Sequence, residues 1–157
     1  MLAKVIRVPY NGRLTTMKIA AVDPFCLRLP GSPGRASDLF AVRVRTSSGS
    51  AGWGESTAAP LLCLAAVCDP EAGLRGLLTG EPLESPDDVR RLHEKLTRQG
   101  PGFPAALGAV DIALWDLLGR LLGQPVYRLL DGPQAAAHPR AAAPPGPSAL
   151  DIASEGG

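Results

Sequence analysis

The sequence contains few of the residues from which metal sites and disulfide frameworks are built. Its three cysteines, Cys26, Cys63 and Cys68, are an odd number with no Cys-x-x-Cys pair, and only two histidines occur among 157 residues. A zinc site or a set of structural disulfides is therefore not expected. The pattern favours buried, reduced thiols in a cytoplasmic protein.

The chain also lacks an excess of charge of one sign and a long apolar run. Sixteen basic and fifteen acidic residues give a formal net charge of +1, and no block of like charge occurs. This balance argues against nucleic acid or an anionic membrane surface as a partner. The most apolar run, residues 61–68, is far shorter than the roughly 20 residues of a spanning helix. No apolar segment of a secretory signal follows the first basic residues.

Large apolar residues are scarce at the C-terminal end. Residues 133–157 include eight alanines and five prolines. Such a composition cannot bury enough apolar surface to repay the entropy of ordering. We therefore predict that residues 133–157 form a disordered, Ala/Pro-rich tail.

The most informative stretch that is present runs over residues 103–132. Its apolar residues recur at the three-and-four spacing of a helix face and predict a helix over residues 104–122. Pro104 suits the first turn, and Gly123 followed by Pro125 ends the helix. Asp111 and Asp116 lie inside this apolar helix, so each needs a hydrogen-bonding or ionic partner. At i and i+5 they point about 140° apart, which argues against a catalytic carboxylate pair.

Strand patterns precede the helical ones. Residues 18–30 predict a strand interrupted near Pro24, which suits an edge or a bulge. The pattern then predicts a polar loop, a clear strand over residues 39–46, a turn and a returning strand over residues 51–56. Together the strands form a three-stranded antiparallel meander. Helix starts follow at Asp69-Pro70-Glu71 and at Ser85-Pro86-Asp87-Asp88. Strands first and helices afterwards predict an α+β domain, with a helical bundle packed on the meander.

The first sixteen residues allow two interpretations. Residues 4–8 could form a short strand, with Asn11-Gly12 as its turn. Alternatively, Met17 is the true start and residues 1–16 are an N-terminal extension. We favour the second interpretation.

The central stretch carries a family resemblance. Asp111-Ile112-Ala113-Leu114-Trp115-Asp116-Leu117, followed by the Gly-Arg-Leu-Leu-Gly-Gln-Pro-Val-Tyr-Arg-Leu-Leu of residues 119–130, resembles the end of the N-terminal capping domain of the enolase superfamily. The mandelate racemase and muconate-lactonizing branch is the most similar, and the resemblance spans residues 17–132. It implies a cap over the mouth of a (β/α)-barrel. The barrel carries the catalytic bases and the ligands of Mg²⁺, which act on a proton next to a carboxylate.

The resemblance also implies which residues approach a substrate. Two loops close the site in this family, and here they correspond to residues 31–38 and 52–60. Four polar residues in these loops are the candidate substrate contacts: Arg35, Ser37, Ser56 and Thr57. His93, on a predicted amphipathic helix, is expected to be solvated and has no assigned role.

The catalytic part of such an enzyme is not expected within these residues. A barrel needs roughly 200 residues or more, whereas 25 follow Gly132, and the last lysine is Lys95. We therefore expect no catalytic residue, no bound metal and no cofactor in this chain. Mg²⁺ is implied only for the absent barrel. The expected partners are a barrel domain, or a second copy through the exposed barrel-facing surface. A small carboxylate substrate belongs only to the complete enzyme.

Two functions from different classes remain open. The first is a capping-domain fragment, inactive alone, of a racemase, epimerase, cycloisomerase or sugar-acid dehydratase; it is either a truncated product or half of an enzyme completed by a separate barrel chain. The second is a stand-alone binding module that kept the cap fold. The density of apolar residues around the central helix favours the fragment. A fragment would leave the barrel-facing surface apolar, whereas an adapted module would have made it polar. We interpret the tail after Gly132 as an out-of-frame or prematurely ended reading of a GC-rich gene that once encoded the barrel. The alternative is a flexible linker.

Overall fold

A computed structural model describes residues 17–29 and 37–131. The predictions for residues 1–16 and for the tail lie outside the described residues, as does Arg35 in the first loop. The elements in chain order are β1 (Ile19–Leu29), β2 (Ser37–Thr46), β3 (Ala51–Ser56), α1 (Pro60–Cys68), α2 (Leu74–Leu78), α3 (Pro86–Gln99), α4 (Pro104–Leu122) and α5 (Val126–Asp131).

The three strands form an antiparallel sheet in the order β1-β2-β3. Side chains alternate between the two faces of a strand, and the pairs Val22–Val44 and Cys26–Phe40 place one face of the sheet toward the helices. Val22, Val44 and Phe40 are buried there. The predicted α+β fold, a three-stranded meander with helices packed on it, is confirmed.

Strand β1 differs from its prediction at Pro24. The strand continues through this residue, which pairs with Val42, and the irregularity in register lies instead between Ile19 and Ala21. Because β1 is an edge strand, a residue without an N–H can be accommodated in it. The predicted edge position is confirmed, and the predicted interruption is wrong.

Helix α4 forms the centre of the domain. It has the predicted bounds, Pro104–Leu122, and Gly123 ends it in the left-handed conformation with φ 62°. Its buried residues include Val110, Leu114 and Leu118. The helix packs against the inner face of the sheet and against α3, so one long apolar helix supplies much of the core.

The region between the sheet and α3 departs from the sequence prediction. Helix α1 begins at Pro60, and its N-cap residue Ala59 offers no side-chain cap and has φ 45°. The sequence therefore carries no capping signal there. Asp69, predicted to start a helix, instead follows the end of α1. Its Oδ1 accepts hydrogen bonds from the N–H groups of Glu71 and Ala72 at 2.9 and 2.8 Å.

Helix α3 begins as its sequence predicts. The Ser85 side chain accepts from the Asp88 N–H, and the Asp88 carboxylate accepts from the Ser85 N–H, which completes a capping box. Three buried residues, Val89, Leu92 and Leu96, form its apolar face.

A partly buried ionic cluster joins the start of the sheet to α3. The Nζ of Lys95 lies 2.6 Å from Glu81 Oε1, and Arg91 Nη1 lies 2.8 Å from Glu81 Oε2. The Glu81 carbonyl accepts from the Ile19 N–H at 2.9 Å. The hydrogen bonds from Lys95 and then from Arg91 hold the pKa of Glu81 below its ordinary value of 4.5.

The Glu81 cluster predicts a pH dependence of stability. With a pKa lowered in the folded state, the cluster stabilises the fold above about pH 4.5 and loses this contribution as the pH falls below that value. Glu81→Gln should therefore lower the free energy of unfolding by about 1 kcal/mol at pH 7. The difference from wild type should shrink toward pH 3, measured by urea unfolding. The exposed Glu71→Gln is the control, and a Glu81→Gln deficit independent of pH would contradict the prediction.

Candidate functional site

The strand ends that flank the two predicted capping loops lie at one end of the sheet. Leu29 at the end of β1 pairs with Ser37 at the start of β2, and Phe40 pairs with Ser56 at the end of β3. Because neighbouring strands are antiparallel, the β1–β2 connection and the β3–α1 connection leave the sheet at the same end. The fold thus brings the backbone at Ser37, Ser56 and Thr57 to one end of the domain.

The second loop is shorter than predicted. Strand β3 extends to Ser56 and helix α1 begins at Pro60, so only residues 57–59 connect them, rather than residues 52–60. Thr57 is exposed, and Ser56 is half-buried. The Ser56 Oγ accepts from the Ala58 N–H at 3.2 Å. Ser56 therefore helps to shape the turn, whereas Thr57 presents its side chain to solvent.

A shallow groove of about 500 Å³ lies at the same end of the sheet. We call it the loop-end groove; its lining residues are Cys26, Leu27, Arg28, Asp38, Ala59, Pro60, Leu61 and Leu62. Leu61 and Leu62, in the first turn of α1, are 73% and 58% exposed. The sequence pattern marked residues 61–68 only as an apolar run, and no local signal indicated that its first two leucines would be exposed.

The charges in the loop-end groove compensate one another. Arg28 Nε lies 2.9 Å from Asp38 Oδ1. Hydrogen bonding within this pair lowers the pKa of the Asp38 carboxyl and raises the pKa of the Arg28 guanidinium. The pair joins β1 to β2 next to the first loop, and the remaining lining is largely apolar. The groove is therefore suited to contact with an apolar surface.

Neither cysteine near this groove is a nucleophile activated by a base. Cys63 is buried and donates to the Ala58 carbonyl at 3.3 Å, and burial raises the pKa of its thiol. Cys26 Sγ lies 3.5 Å from the Pro60 carbonyl oxygen. The prediction of buried thiols is correct for Cys63 and wrong for Cys26 and Cys68, which are exposed. A raised thiol pKa reduces the thiolate fraction, so Cys63 is a structural residue.

Each of the two acids within α4 has a hydrogen-bonding or ionic partner, as the sequence predicts. The Asp116 Oδ2 accepts from the Trp53 N–H at 2.9 Å and from the Nε of Arg120 at 3.1 Å. The Asp111 Oδ1 lies 3.1 Å from the Nδ1 of His93, which is exposed as predicted. Asp116 thus ties the outer edge of β3 to α4.

Metal-binding and membrane-spanning features are both missing from residues 17–29 and 37–131. No three His, Cys, Asp or Glu side chains in these ranges lie close enough together to hold a metal ion. These residues therefore do not fit the Mg²⁺ of the resembled family. None of the helices described in these ranges has the length and apolar character needed to cross a bilayer.

The fold and this site define an α+β module with two loops and an apolar groove at one end. The profile of the mandelate racemase / muconate lactonizing enzyme N-terminal domain matches residues 15–131. The chain belongs to this family, and the resemblance drawn from the sequence of α4 is confirmed.

Two bacterial relatives share this region of the chain. A D-galactonate dehydratase family member from Streptomyces bingchenggensis is 38% identical over 120 residues, which cover 74% of this chain and 27% of the relative. An N-succinyl-L-Arg/Lys racemase from Bacillus cereus is 31% identical over 125 residues, covering 74% of this chain and 34% of the relative. The chain thus spans about a third or less of the length of these relatives.

A solved structure with the same fold supports this assignment. The crystal structure of a muconate cycloisomerase from Azorhizobium caulinodans superposes with a TM-score of 0.65 at 28% identity. The superposition covers 75% of this chain and 31% of that one. The similarity is again confined to a part of the larger protein.

Proposed function

We propose that this chain is the capping domain of an enzyme that abstracts a proton next to a carboxylate. The family membership and the dehydratase, racemase and cycloisomerase relatives support an activity of this class. In this proposal a barrel outside these 157 residues supplies the bases and the Mg²⁺, and the cap closes over a small carboxylate substrate in the cytoplasm. The chain alone performs no reaction.

One observation carries the proposal. Both connections leave the sheet at the same end, beside an apolar groove that nothing in the described chain covers. Leu61 and Leu62 would lie against the rim of the barrel, and Thr57 would face the substrate. Arg35 and Ser37 stay candidate substrate contacts because the family resemblance implies them. Ser56 would act indirectly, by holding the turn through its bond to Ala58.

The alternative is a stand-alone binding module that retained the cap fold. An independent module would have been expected to replace exposed leucines by polar residues. Leu61 and Leu62 remain largely exposed, so the groove surface favours a domain that is covered in its working state.

A chimeric enzyme tests the proposal. Residues 15–131 replace the matching segment of the Bacillus cereus N-succinyl-L-Arg/Lys racemase. We expect the chimera to exchange the α-proton of N-succinyl-L-arginine in D₂O, as followed by ¹H NMR. The 157-residue chain alone should catalyse no exchange, with or without Mg²⁺.

The controls are the intact racemase and the racemase without its matching segment. A chimera that folds, by circular dichroism and cooperative melting, but has no exchange activity would contradict the proposal. Metal-dependent exchange by the chain alone would also contradict it.

A further inference from the structure

The connection between β3 and α1, residues 57–59, contains a strained backbone conformation. Ala59 has φ 45° and ψ 63°, and it is the only residue other than glycine with positive φ among residues 17–29 and 37–131. The left-handed region is unfavourable for a residue with a β-carbon. Ala59 also precedes Pro60, and a residue before proline favours an extended conformation. Two local preferences therefore oppose the conformation that Ala59 adopts.

Hydrogen bonds from both flanking elements hold this conformation. The Ser56 Oγ accepts from the Ala58 N–H at 3.2 Å, and the Cys63 thiol donates to the Ala58 carbonyl at 3.3 Å. Both backbone polar groups of Ala58 are thus bound by side chains. The carbonyl of Ala59 in turn accepts from the N–H groups of Leu62 and Cys63 at 3.0 and 3.1 Å. We call Ser56 and Cys63 the loop anchors, because their side chains bind the connection from either end.

The environment of Cys63 suits it to this contact. A thiol can donate a hydrogen bond only while it is protonated. Burial raises the pKa of the Cys63 thiol more than its hydrogen bond with Ser56 lowers it, so the proton is retained at neutral pH. The residue is fully buried and belongs to α1, so the donor is carried by a packed helix rather than by a loop. Cys63 therefore fixes the connection relative to α1.

The strain at Ala59 and the contribution of one loop anchor are similar in size. The cost of a left-handed residue is comparable to the net contribution of one hydrogen bond, and a thiol is a weak donor. Loss of an anchor should therefore allow Ala59 to leave the left-handed region for an extended conformation. Because only three residues connect β3 to α1, this change would displace Thr57, the exposed residue at the start of the connection.

We infer that Cys63 and Ala59 are positioning residues of the second capping loop. The Cys63 thiol, together with Ser56, holds Ala59 in its left-handed conformation, and this conformation sets the position of Thr57. The inference rests on the proposed function, in which Thr57 faces the substrate. It gives a buried cysteine that contacts no substrate an effect on substrate binding.

A double-mutant cycle in the isolated chain tests the anchor independently of activity. Ala59→Gly removes the β-carbon and part of the strain, so it should raise the melting temperature of the wild-type chain by about 2 °C, measured by circular dichroism. In the Cys63→Ala background Ala59 has already left the left-handed region, so Ala59→Gly should give no increase. Val67→Ala is the matched control, because it opens a cavity in the same helix without contacting the connection. In that background Ala59→Gly should again give an increase of about 2 °C.

The same variants in the chimera described above test the effect on the substrate. Cys63→Ala should raise the KM for N-succinyl-L-arginine by about threefold or more and change kcat by less than about twofold, since a smaller fraction of the protein holds Thr57 in place. Adding Ala59→Gly to Cys63→Ala should reverse about half of this increase or more, because glycine returns to the left-handed region without the steric cost. Val67→Ala should lower the melting temperature but keep KM within about twofold.

Two results would each overturn the inference. The first is an equal effect of Ala59→Gly on the melting temperature with and without Cys63→Ala. The second is an increase in KM that is as large for Val67→Ala as for Cys63→Ala. If Cys63→Ala does not fold, Ser56→Ala takes its place in both experiments, since Ser56 binds the other polar group of Ala58 and is only half-buried. A chimera without activity would contradict the proposed function alone, and the melting temperatures of the isolated chain would then decide whether the anchor exists.

Discussion

Replacing Gly54 by alanine is expected to destabilise the domain strongly, although the change adds only one methyl group. Strand β3 lies directly on helix α4, and a β-carbon at Gly54 would overlap the carbonyl oxygen of Ala109. It would also come within 2.9 Å of the Ala113 nitrogen. Both obstacles are helix backbone, which cannot rotate away as a side chain can. We expect a loss of about 3 kcal/mol or more in the free energy of unfolding.

The control for Gly54→Ala is another glycine-to-alanine change. Gly108 lies on the exposed side of α4, and a β-carbon there would meet nothing within 4 Å. Gly108→Ala should therefore stabilise the domain by up to about 1 kcal/mol, through its helix propensity. Urea unfolding followed by circular dichroism measures both variants. If Gly54→Ala unfolds within about 1 kcal/mol of wild type, β3 and α4 do not make so close a contact.

The requirement at Gly54 concerns space rather than backbone conformation. The glycines with positive φ in the described residues are Gly49, Gly80, Gly102 and Gly123, and Gly54 is not among them. Gly52, two residues earlier on the same face of β3, is similarly crowded by the backbone of α4. Residues 51–56 were recognisable as a strand, but this contact was not, because the helix that creates it lies about 50 residues later in the chain.

Local signals predicted those parts of the fold that local interactions determine. Ser85 and Asp88 satisfy each other's backbone groups, so the start of α3 was predictable from four residues. Pro104 and Gly123 similarly define the ends of α4. Helix α1 has no such signal, because its N-cap is Ala59, and it forms where packing against the sheet and α4 supports it. Its apolar sequence alone did not distinguish a helix from a buried strand.

The candidate site was predictable only in part. The family resemblance indicated two loops, and the antiparallel register brings Ser37, Ser56 and Thr57 to the same end of the sheet. The apolar lining was missed, because Leu27 in β1 and Leu61 in α1 are far apart in the chain and neither belongs to a polar motif. Grooves between elements depend on tertiary placement, which composition and periodicity do not specify.

Leu114→Ala is expected to cost about 2–5 kcal/mol, the range for removing most of a buried leucine side chain. Leu114 is fully buried on the face of α4 that packs into the core. Surrounding side chains belong to several elements and cannot all move to fill the space, so a cavity remains and adds to the lost hydrophobic burial. Urea unfolding of the purified 157-residue chain measures this loss.

Ile112→Ala, on the same helix, is the matched control, because it truncates an exposed apolar side chain instead of the buried side chain of Leu114. The apolar spacing of residues 104–122 does not show which of these residues are covered, and in this chain the side chain of Ile112 is 52% exposed. Its truncation should change the free energy of unfolding of the isolated chain by no more than about 0.5 kcal/mol. If Ile112→Ala cost as much as Leu114→Ala, the surface around Ile112 would already be covered within the chain.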